Sequence, residues 1–316
     1  MTTTLYGAIE AGGTKFRCVV ARGIEEVLAE VRVPTTTPEA TLAQVTAFFA
    51  DASARLGTVS ALGIATFGPV DLDRRSPSFG RILATPKAGW SNTDLVGTLL
   101  RQLGRPVAID TDVNASARAE FERGYDAGVI NSLVYVTVGT GIGGGAVIDG
   151  RTVKGLLHPE MGHVQVRRDS RDAQFEGICP FHGDCLEGLA SGPAILARWG
   201  APLSALAPEH IAHAVIGGYL GQLACSVTLL LSPQRIVFGG GVMDDTRLLQ
   251  EIRTRASALL GGYLPHERLP AGLEIYITAP TLGTRSGLMG ALLLARDAAR
   301  EDRLGGLGSP ETVSER

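Results

Sequence analysis

Cysteine is scarce in this chain of 316 residues: the four present are Cys18, Cys179, Cys185 and Cys225. Four scattered thiols make no disulfide framework, and such usage suits a reducing cytoplasm. A surplus of one charge is missing too. The net charge is −3, so no basic field recommends nucleic acid or an anionic membrane as a partner. No run reaches the roughly 18 apolar residues of a membrane span. The richest, Leu220 to Leu231, is interrupted by Gln222, Ser226 and Thr228. The opening MTTTLYGAIEAGGTKF lacks the basic start and apolar run of a signal peptide. These absences lead to the expectation of a cytoplasmic protein whose partners include neither nucleic acid nor membrane.

What is present fits a well-buried globular protein: 45% hydrophobic and 19% charged residues. A chain of this length suits two domains of about 100–200 residues each. LYGAIEA alternates towards a Gly-Gly turn and KFRCVVA returns, the pattern of a β-hairpin. SLVYVTVGTGIGGGAVIDG, at 132–150, repeats strand, Gly/Thr turn and strand. Strands are expected at 61–68, 106–112, 235–242 and 273–278. Helices are expected at about 38–55, 113–123, 187–199, 207–231, 245–260 and 285–299, with a loop-rich middle at 151–186. The expected division is a small α/β domain over 1–113 and a larger one over 114–284 carrying the loop 158–186. The last helix, about 285–300, packs back on the first domain, and 301–316 forms a polar, flexible tail.

The repeated hairpin suggests two related halves, each opening with its own glycine turn. Neither turn has the GxxxxGK[ST] spacing of a P-loop. Gly139-Thr-Gly-Ile-Gly-Gly144 fits GxGxxG, but a strand follows it where a dinucleotide fold needs a helix. A strand-turn-strand of Gly and Thr can still hold phosphate, because successive backbone N–H groups form an anion-binding concavity. It can equally be an ordinary hairpin turn. A third glycine turn, Gly239-Gly-Gly241, favours the phosphate reading. Asp112, in Asp110-Thr-Asp-Val-Asn114, sits where a strand gives way to a helix, the carboxyl end at which α/β folds place ligands. It can be a catalytic carboxylate or a helix N-cap.

Cys179-Pro-Phe-His182-Gly-Asp-Cys185 packs three metal-type ligands into seven residues, and His163 supplies a fourth sixteen positions earlier. An N2S2 set of this kind favours zinc, and four protein ligands, which close the coordination sphere, favour a structural over a catalytic ion. His158 is a nearby competitor. The proline between it and Glu160 makes it a packing or substrate-side residue instead.

Taken together these segments resemble the ROK family (repressors, open reading frames and kinases), over about residues 5 to 295. Glu10-Ala-Gly-Gly-Thr-Lys-Phe-Arg17 is similar to the first phosphate loop of the sugar kinases that share a fold with actin and hexokinase. Gly139–Gly145 resembles their second phosphate loop, and Gly239-Gly-Gly-Val242 their adenosine loop. The resemblance implies an α/β, two-domain actin/hexokinase-like (ribonuclease H-like) fold with ATP in a cleft between the domains. It implies ATP·Mg on Glu10, Gly12, Gly13, Thr14, Lys15, Gly139, Thr140, Gly141, Gly239, Gly240 and Gly241. Glu10 stands where many relatives carry Asp, and holds magnesium. Asp112 matches the catalytic base of an Asn-Asp-x-Asn motif whose first Asn is here Thr111.

Glu160-Met-Gly-His163 matches the family's Glu-x-Gly-His motif, in which the Glu bonds sugar hydroxyls and the His both bonds sugar and ligates zinc. By the same likeness Glu187 is a further sugar contact, and His163, Cys179, His182 and Cys185 hold structural zinc. Gly68-Pro69-Val-Asp71 and Thr85-Pro-Lys-Ala-Gly-Trp90 look like segments of bacterial ROK fructokinases, so D-fructose is the expected hexose, with Gly68 and Pro69 beside it. Glucokinase and mannokinase are the alternatives. A ROK repressor would need a helix-turn-helix before the first phosphate loop, which begins by Glu10. A homodimer follows from the resemblance alone. Zinc is expected to clamp the sugar-binding loop, so that stripping it weakens sugar binding first and leaves ATP binding largely intact.

Overall fold

The computed structural model describes residues 4–124, 129–266, 269 and 273–305. The chain divides into two compact units, one running to Ala115 and resuming at Gly287, the other spanning Ser116–Ser286.

The first unit is built on a five-stranded sheet. Its elements in chain order are β1 (Leu5–Ala11), β2 (Lys15–Arg22), β3 (Glu26–Pro34), α1 (Pro38–Leu56), β4 (Ala61–Thr66), α2 (Leu95–Leu103) and β5 (Val107–Thr111), followed by α3 (Asp112–Ala119). The strand order is β3-β2-β1-β4-β5. β1 and β2 form the expected hairpin, with Ile9 opposite Cys18, while β4 and β5 run parallel to β1. Alternation in β1 sends Ile9 and Ala11 to one face, against Val45 and Phe49 of α1 and Leu95 and Leu99 of α2. Tyr6 and Ala8 go to the other face, where small residues prevail: Ala21, Ala61 and Ala65. That face is covered by the last helix of the chain. The fit is tight, since a Cβ on Gly63 of β4 would lie 1.9 Å from the carbonyl oxygen of Ala291.

The second unit repeats the plan. Its strands are β6 (Ser132–Val138), β7 (Ile142–Ile148), β8 (Arg151–Thr152), β9 (Ile236–Gly239) and β10 (Ile277–Thr278), ordered β10-β9-β6-β7-β8. β6 and β7 are the second hairpin, and β9 and β10 add parallel strands. The helices are α4 (Leu186–Ala190), α5 (Gly192–Trp199), α6 (Ile211–Leu231) and α7 (Thr246–Leu260); α8 (Ser286–Gly305) then returns to the first unit. By length and composition α6 could cross a membrane, with a mean hydropathy of 1.7, but 61% of it is buried. It is the core helix of this unit, with Ile216, Leu220 and Leu223 packed among Val134, Phe238 and Ile252.

Several boundaries differ from those read from the sequence. β3 is an additional strand, pairing only with β2 at the sheet edge. The helix expected over 187–199 is two helices, because Ser191 turns the chain and caps α5, its Oγ accepting from Ala194 N at 3.4 Å. The strand expected over 273–278 shrinks to two residues. The helix after Asp112 ends at Ala119 and passes into a π-turn, Glu120–Gly124. There the fully buried carboxylate of Glu120 accepts from Thr281 N at 3.0 Å, Leu282 N at 3.1 Å and Ser286 Oγ at 2.6 Å. Residues 301–305, expected in the flexible tail, are the end of α8. The rest of that tail, 306–316, lies outside the described residues.

Candidate active site and metal centre

In the first unit the candidate residues gather around the ends of β1 and β5. The turn after β1 is closed by Gly12 N donating to Lys15 O at 3.0 Å, and Thr35 braces it, its hydroxyl donating to Gly12 O at 2.8 Å. Gly13, Thr14 and Lys15 are exposed on its outside. Glu10 precedes the turn, half-buried. Burial raises its carboxyl above the ordinary range, a shift partly opposed by the charges of Arg17 and Lys15.

Asp112 opens α3. The helix-capping task falls to its neighbour: Thr111 Oγ1 accepts from Asn114 N at 3.1 Å, and Thr111 is only 2% exposed. Asp110 accepts from Thr111 N at 2.8 Å and from Asn114 Nδ2 at 2.9 Å, which fixes the turn from beneath. Asp112 Oδ1 accepts from Val113 N at 2.9 Å. Burial pushes the Asp112 carboxyl up to about 7; the Val113 N–H pulls it back and the negative charge of Glu10 pushes it further up. A carboxylate poised there can take a proton near neutral pH.

Gly68 and Pro69, joined by a cis peptide bond, follow β4. Pro69 O accepts from Leu83 N at 2.8 Å. Asp71 organises this loop, receiving Ser78 Oγ at 2.6 Å and Asp73 N at 3.0 Å, and the Ser76 and Ser78 hydroxyls hold its carboxyl below the usual range. Trp90 is fully buried against Phe16 and Phe67, and its Nε1 donates to Thr36 O at 2.7 Å.

In the second unit the two glycine turns adjoin. Gly139 N donates to Gly141 O at 2.9 Å, and Gly139 O accepts from Gly192 N, at the start of α5, at 2.7 Å. Gly240 adopts φ 93° and backs onto the end of β6, where a Cβ would lie 2.5 Å from Val138 O. Thr140, Gly240 and Gly241 are exposed, whereas Gly239 is buried. The bond that sequence reading misses is from Ile142 N to Glu187 Oε2, at 2.8 Å. Forty-five positions separate the two residues. Gly141 leaves room for the carboxylate, since a Cβ there would stand 2.7 Å from the same oxygen.

The other oxygen of Glu187 lies 3.9 Å from His163 Nε2. The opposite nitrogen of that ring, Nδ1, faces Cys185 Sγ at 3.5 Å and Cys179 Sγ at 3.7 Å, and His182 Nδ1 lies 3.6 Å from Cys179 Sγ. The ligand atoms of His163, Cys179, His182 and Cys185 all fall within 4.8 Å of one another. A tetrahedral zinc with ordinary Zn–S and Zn–N bonds would place its S and N ligands about 3.6 Å apart, so the donor set and spacing both fit the ion. All four cysteines of the chain are free thiols.

Local folding explains the quartet. Cys179 and Gly183 exchange backbone bonds of 3.1 and 2.9 Å, curling the loop so that both cysteines and His182 converge. His163 ends a 3-10 turn that starts after Glu160 and is pressed on β7, where a Cβ on Gly162 would lie 1.8 Å from Ile142 O. Glu160 is exposed and His158 is buried, with Nδ1 3.4 Å from Glu160 Oε1; His158 stands outside the quartet.

Residues 6–298 match the ROK family. The chain belongs to the ROK family. Among its ROK relatives, the fructokinase of Zymomonas mobilis is 46% identical over 294 residues, covering 92% of this chain and 96% of that protein. The glucokinase of Streptomyces coelicolor is 29% identical over 327 residues, covering 92% and 96%. Among solved structures, the ROK family glucokinase from Streptomyces griseus, in complex with glucose and AMPPNP, superposes with a TM-score of 0.71 at 26% identity, covering 93% of this chain and 99% of that one. The fold is therefore the α/β actin/hexokinase-like one that the motifs imply.

A second feature without a local signature supports the loop that carries the Cys/His quartet. Asp172 is buried, accepts from Tyr219 Oη at 2.8 Å, and pairs with Arg198 Nη1 at 3.1 Å. Arg198 also donates to Leu189 O at 2.7 Å and lies 4.0 Å over the Phe175 ring. These contacts tie the segment before Cys179 to α5 and α6.

Proposed function

We propose that this chain phosphorylates a hexose at the expense of ATP, with D-fructose, yielding fructose 6-phosphate, as its principal substrate. The observation that carries the chemistry is the placement of Asp112. It is freed from capping by Thr111, seated at the end of β5, and poised near neutrality. Phosphoryl transfer asks for positioning, neutralised oxygen charge and a base for the attacking hydroxyl. Asp112 takes the hydroxyl proton as the γ-phosphoryl moves. Glu160, His163 and Glu187 hold sugar hydroxyls, and Gly68 and Pro69 are further sugar contacts. The turns at Gly12–Lys15, Gly139–Gly141 and Gly239–Gly241 receive the nucleotide through backbone N–H groups.

Magnesium, when bound with ATP, neutralises phosphate charge, and Glu10 is the carboxylate that would hold it. Zinc, when bound to His163, Cys179, His182 and Cys185, fixes the loop that carries the sugar contacts. Support for fructose comes from the relatives: the fructokinase of Zymomonas mobilis is 46% identical, against 29% for the Streptomyces coelicolor glucokinase. A cytoplasmic homodimer belongs to the same reading, and light scattering on the eluting protein checks the dimer. The test of function is an ADP-release assay across fructose, glucose, mannose and N-acetylated sugars. Highest kcat/KM on fructose, lowered by about 10²–10⁴-fold in Asp112→Asn, is the expected result; full activity in Asp112→Asn refutes the base.

A further inference from the structure

A cavity of about 420 Å³ opens in the second unit between α6, α7 and the segment 167–171. None of the candidate site residues lines it. Its volume falls within the range of small-molecule sites, about 300–1,000 Å³. Small residues make the room: Ala214 and Gly218 on α6 and Ala258 on α7. A Cβ on Gly218 would meet nothing within 4 Å. The segment itself is held firmly, because Gln222 Oε1 accepts from Arg167 N at 2.7 Å and Gln222 Nε2 donates to Arg167 O at 3.0 Å.

The charge on the walls is mixed in a specific way. Arg168 is committed elsewhere, donating to Asp184 at 3.3 Å and to Asp172 O at 2.7 Å. Arg171 pairs with Asp169 at 2.6 Å. Arg167 and Arg255 line the cavity and are exposed; neither makes a close ion pair among the described residues, although Arg255 is near enough for its charge to act on Asp169. Glu251 and Thr254, on α7, stand on the same wall as Arg255. A bare anion would meet both the arginines and the Glu251 carboxylate. A neutral sugar would leave the Arg167 guanidinium unmatched and that of Arg255 balanced only at a distance by Asp169. The lining suits a molecule with an anionic head and a hydroxylated body, since guanidinium groups recognise phosphate and carboxylates accept from hydroxyls.

We propose that this cavity is a second ligand site, for a phosphate monoester of a polyol, with the phosphate on Arg167 and Arg255 and the hydroxyls on Glu251 and Thr254. Fructose 6-phosphate is the probe; its choice rests on the reaction proposed above, whereas the site does not. Isothermal titration of the zinc- and magnesium-loaded wild-type protein should show two equivalents, one at the active site and one here. The Arg167→Ala/Arg255→Ala double variant changes only exposed side chains outside the kinase machinery. It should keep its unfolding midpoint and its turnover, and lose one equivalent. Were the kinase reading wrong, wild type would bind one equivalent and the double variant none, so the two failures are distinct. Glu251→Ala separates the ligand classes: it should weaken fructose 6-phosphate at this site about tenfold, the loss of a charge-assisted bond, and tighten inorganic phosphate by removing a repelling charge. Equal stoichiometry in wild type and the double variant would overturn the site. The same direction of change for both ligands in Glu251→Ala would overturn the polyol assignment.

Discussion

Replacing Glu187 should weaken nucleotide binding as well as sugar binding. One carboxylate oxygen accepts from Ile142 N at 2.8 Å, directly after the Gly139–Gly141 turn proposed to hold phosphate, and the other lies 3.9 Å from His163, a proposed zinc ligand. A part-buried hydrogen bond to a charged group contributes about 1.5–3 kcal/mol. Its loss in Glu187→Ala, transmitted to the loop it orders, corresponds to about 10–150-fold in affinity for AMPPNP. Glu187→Gln keeps a carbonyl that can accept from Ile142 N, at roughly half the strength, so its loss should be smaller, about threefold to tenfold. Calorimetric titration of AMPPNP and of fructose, each alone, into wild type and both variants makes the measurement. The expected order of AMPPNP affinity is wild type, then Gln, then Ala. Unchanged AMPPNP affinity in Glu187→Ala would refute the idea that this carboxylate couples the metal loop to the phosphate loop. The bond also alters the expectation formed from motifs alone, in which zinc removal spares ATP. With Glu187 linking the two, chelation should loosen both ligands, sugar first and nucleotide next.

Asp112→Asn should lower kcat by about 10²–10⁴-fold, the usual contribution of a positioned base, with sugar KM changed far less. The pH profile follows from the same group. Its folded-state pKa is raised to about 7 from 3.8, so the working, deprotonated form is lost as pH falls through 7. The kcat/KM for fructose should drop about tenfold per unit below that point, and a flat profile to pH 5 would contradict the assignment. Removing zinc, or replacing Cys179 by Ser, should lower the thermal midpoint and leave far-ultraviolet dichroism of the sheets largely intact, because the quartet fixes a loop and not a strand. Gly63→Ala should cost about 1–3 kcal/mol in urea unfolding, since its Cβ would sit 1.9 Å from Ala291 O and push α8 off the sheet.

The local features were the legible ones. Both hairpins show in the alternation of their strands, and the Cys/His quartet shows because three of its members fall within seven residues. The Ser191 break carries a local signal too, a capping serine followed by Gly192 and Pro193, a residue suited to a helix start. β3 alternates, but on a sheet edge it buries little beyond Val33 and presents Glu26, Glu30 and Arg32 to water, so its apolar signal is diluted. What no motif could show is pairing at long range. Glu187 meets Ile142 across forty-five positions and Glu120 meets Ser286 across 166. Each is a carboxylate that accepts from backbone or hydroxyl donors brought near only by folding. Thr111 lies between these cases. Its spacing to Asn114 is that of a cap, yet the resemblance drew attention to Asp112 instead.

The aromatic surroundings of Trp90 lend themselves to optical work. The chain has two tryptophans, and they fall one to each unit: Trp90 in the first, Trp199 in the second. Trp90 is sealed between Phe16 and Phe67, so its emission should be blue-shifted and shielded from iodide or acrylamide. Trp199 is partly open and has the Arg198 guanidinium 4.6 Å over its ring, a nearby charge able to quench it. Emission at the blue and red edges therefore separates the two units without any label. Denaturant titration followed at both edges would show whether they unfold together or in sequence.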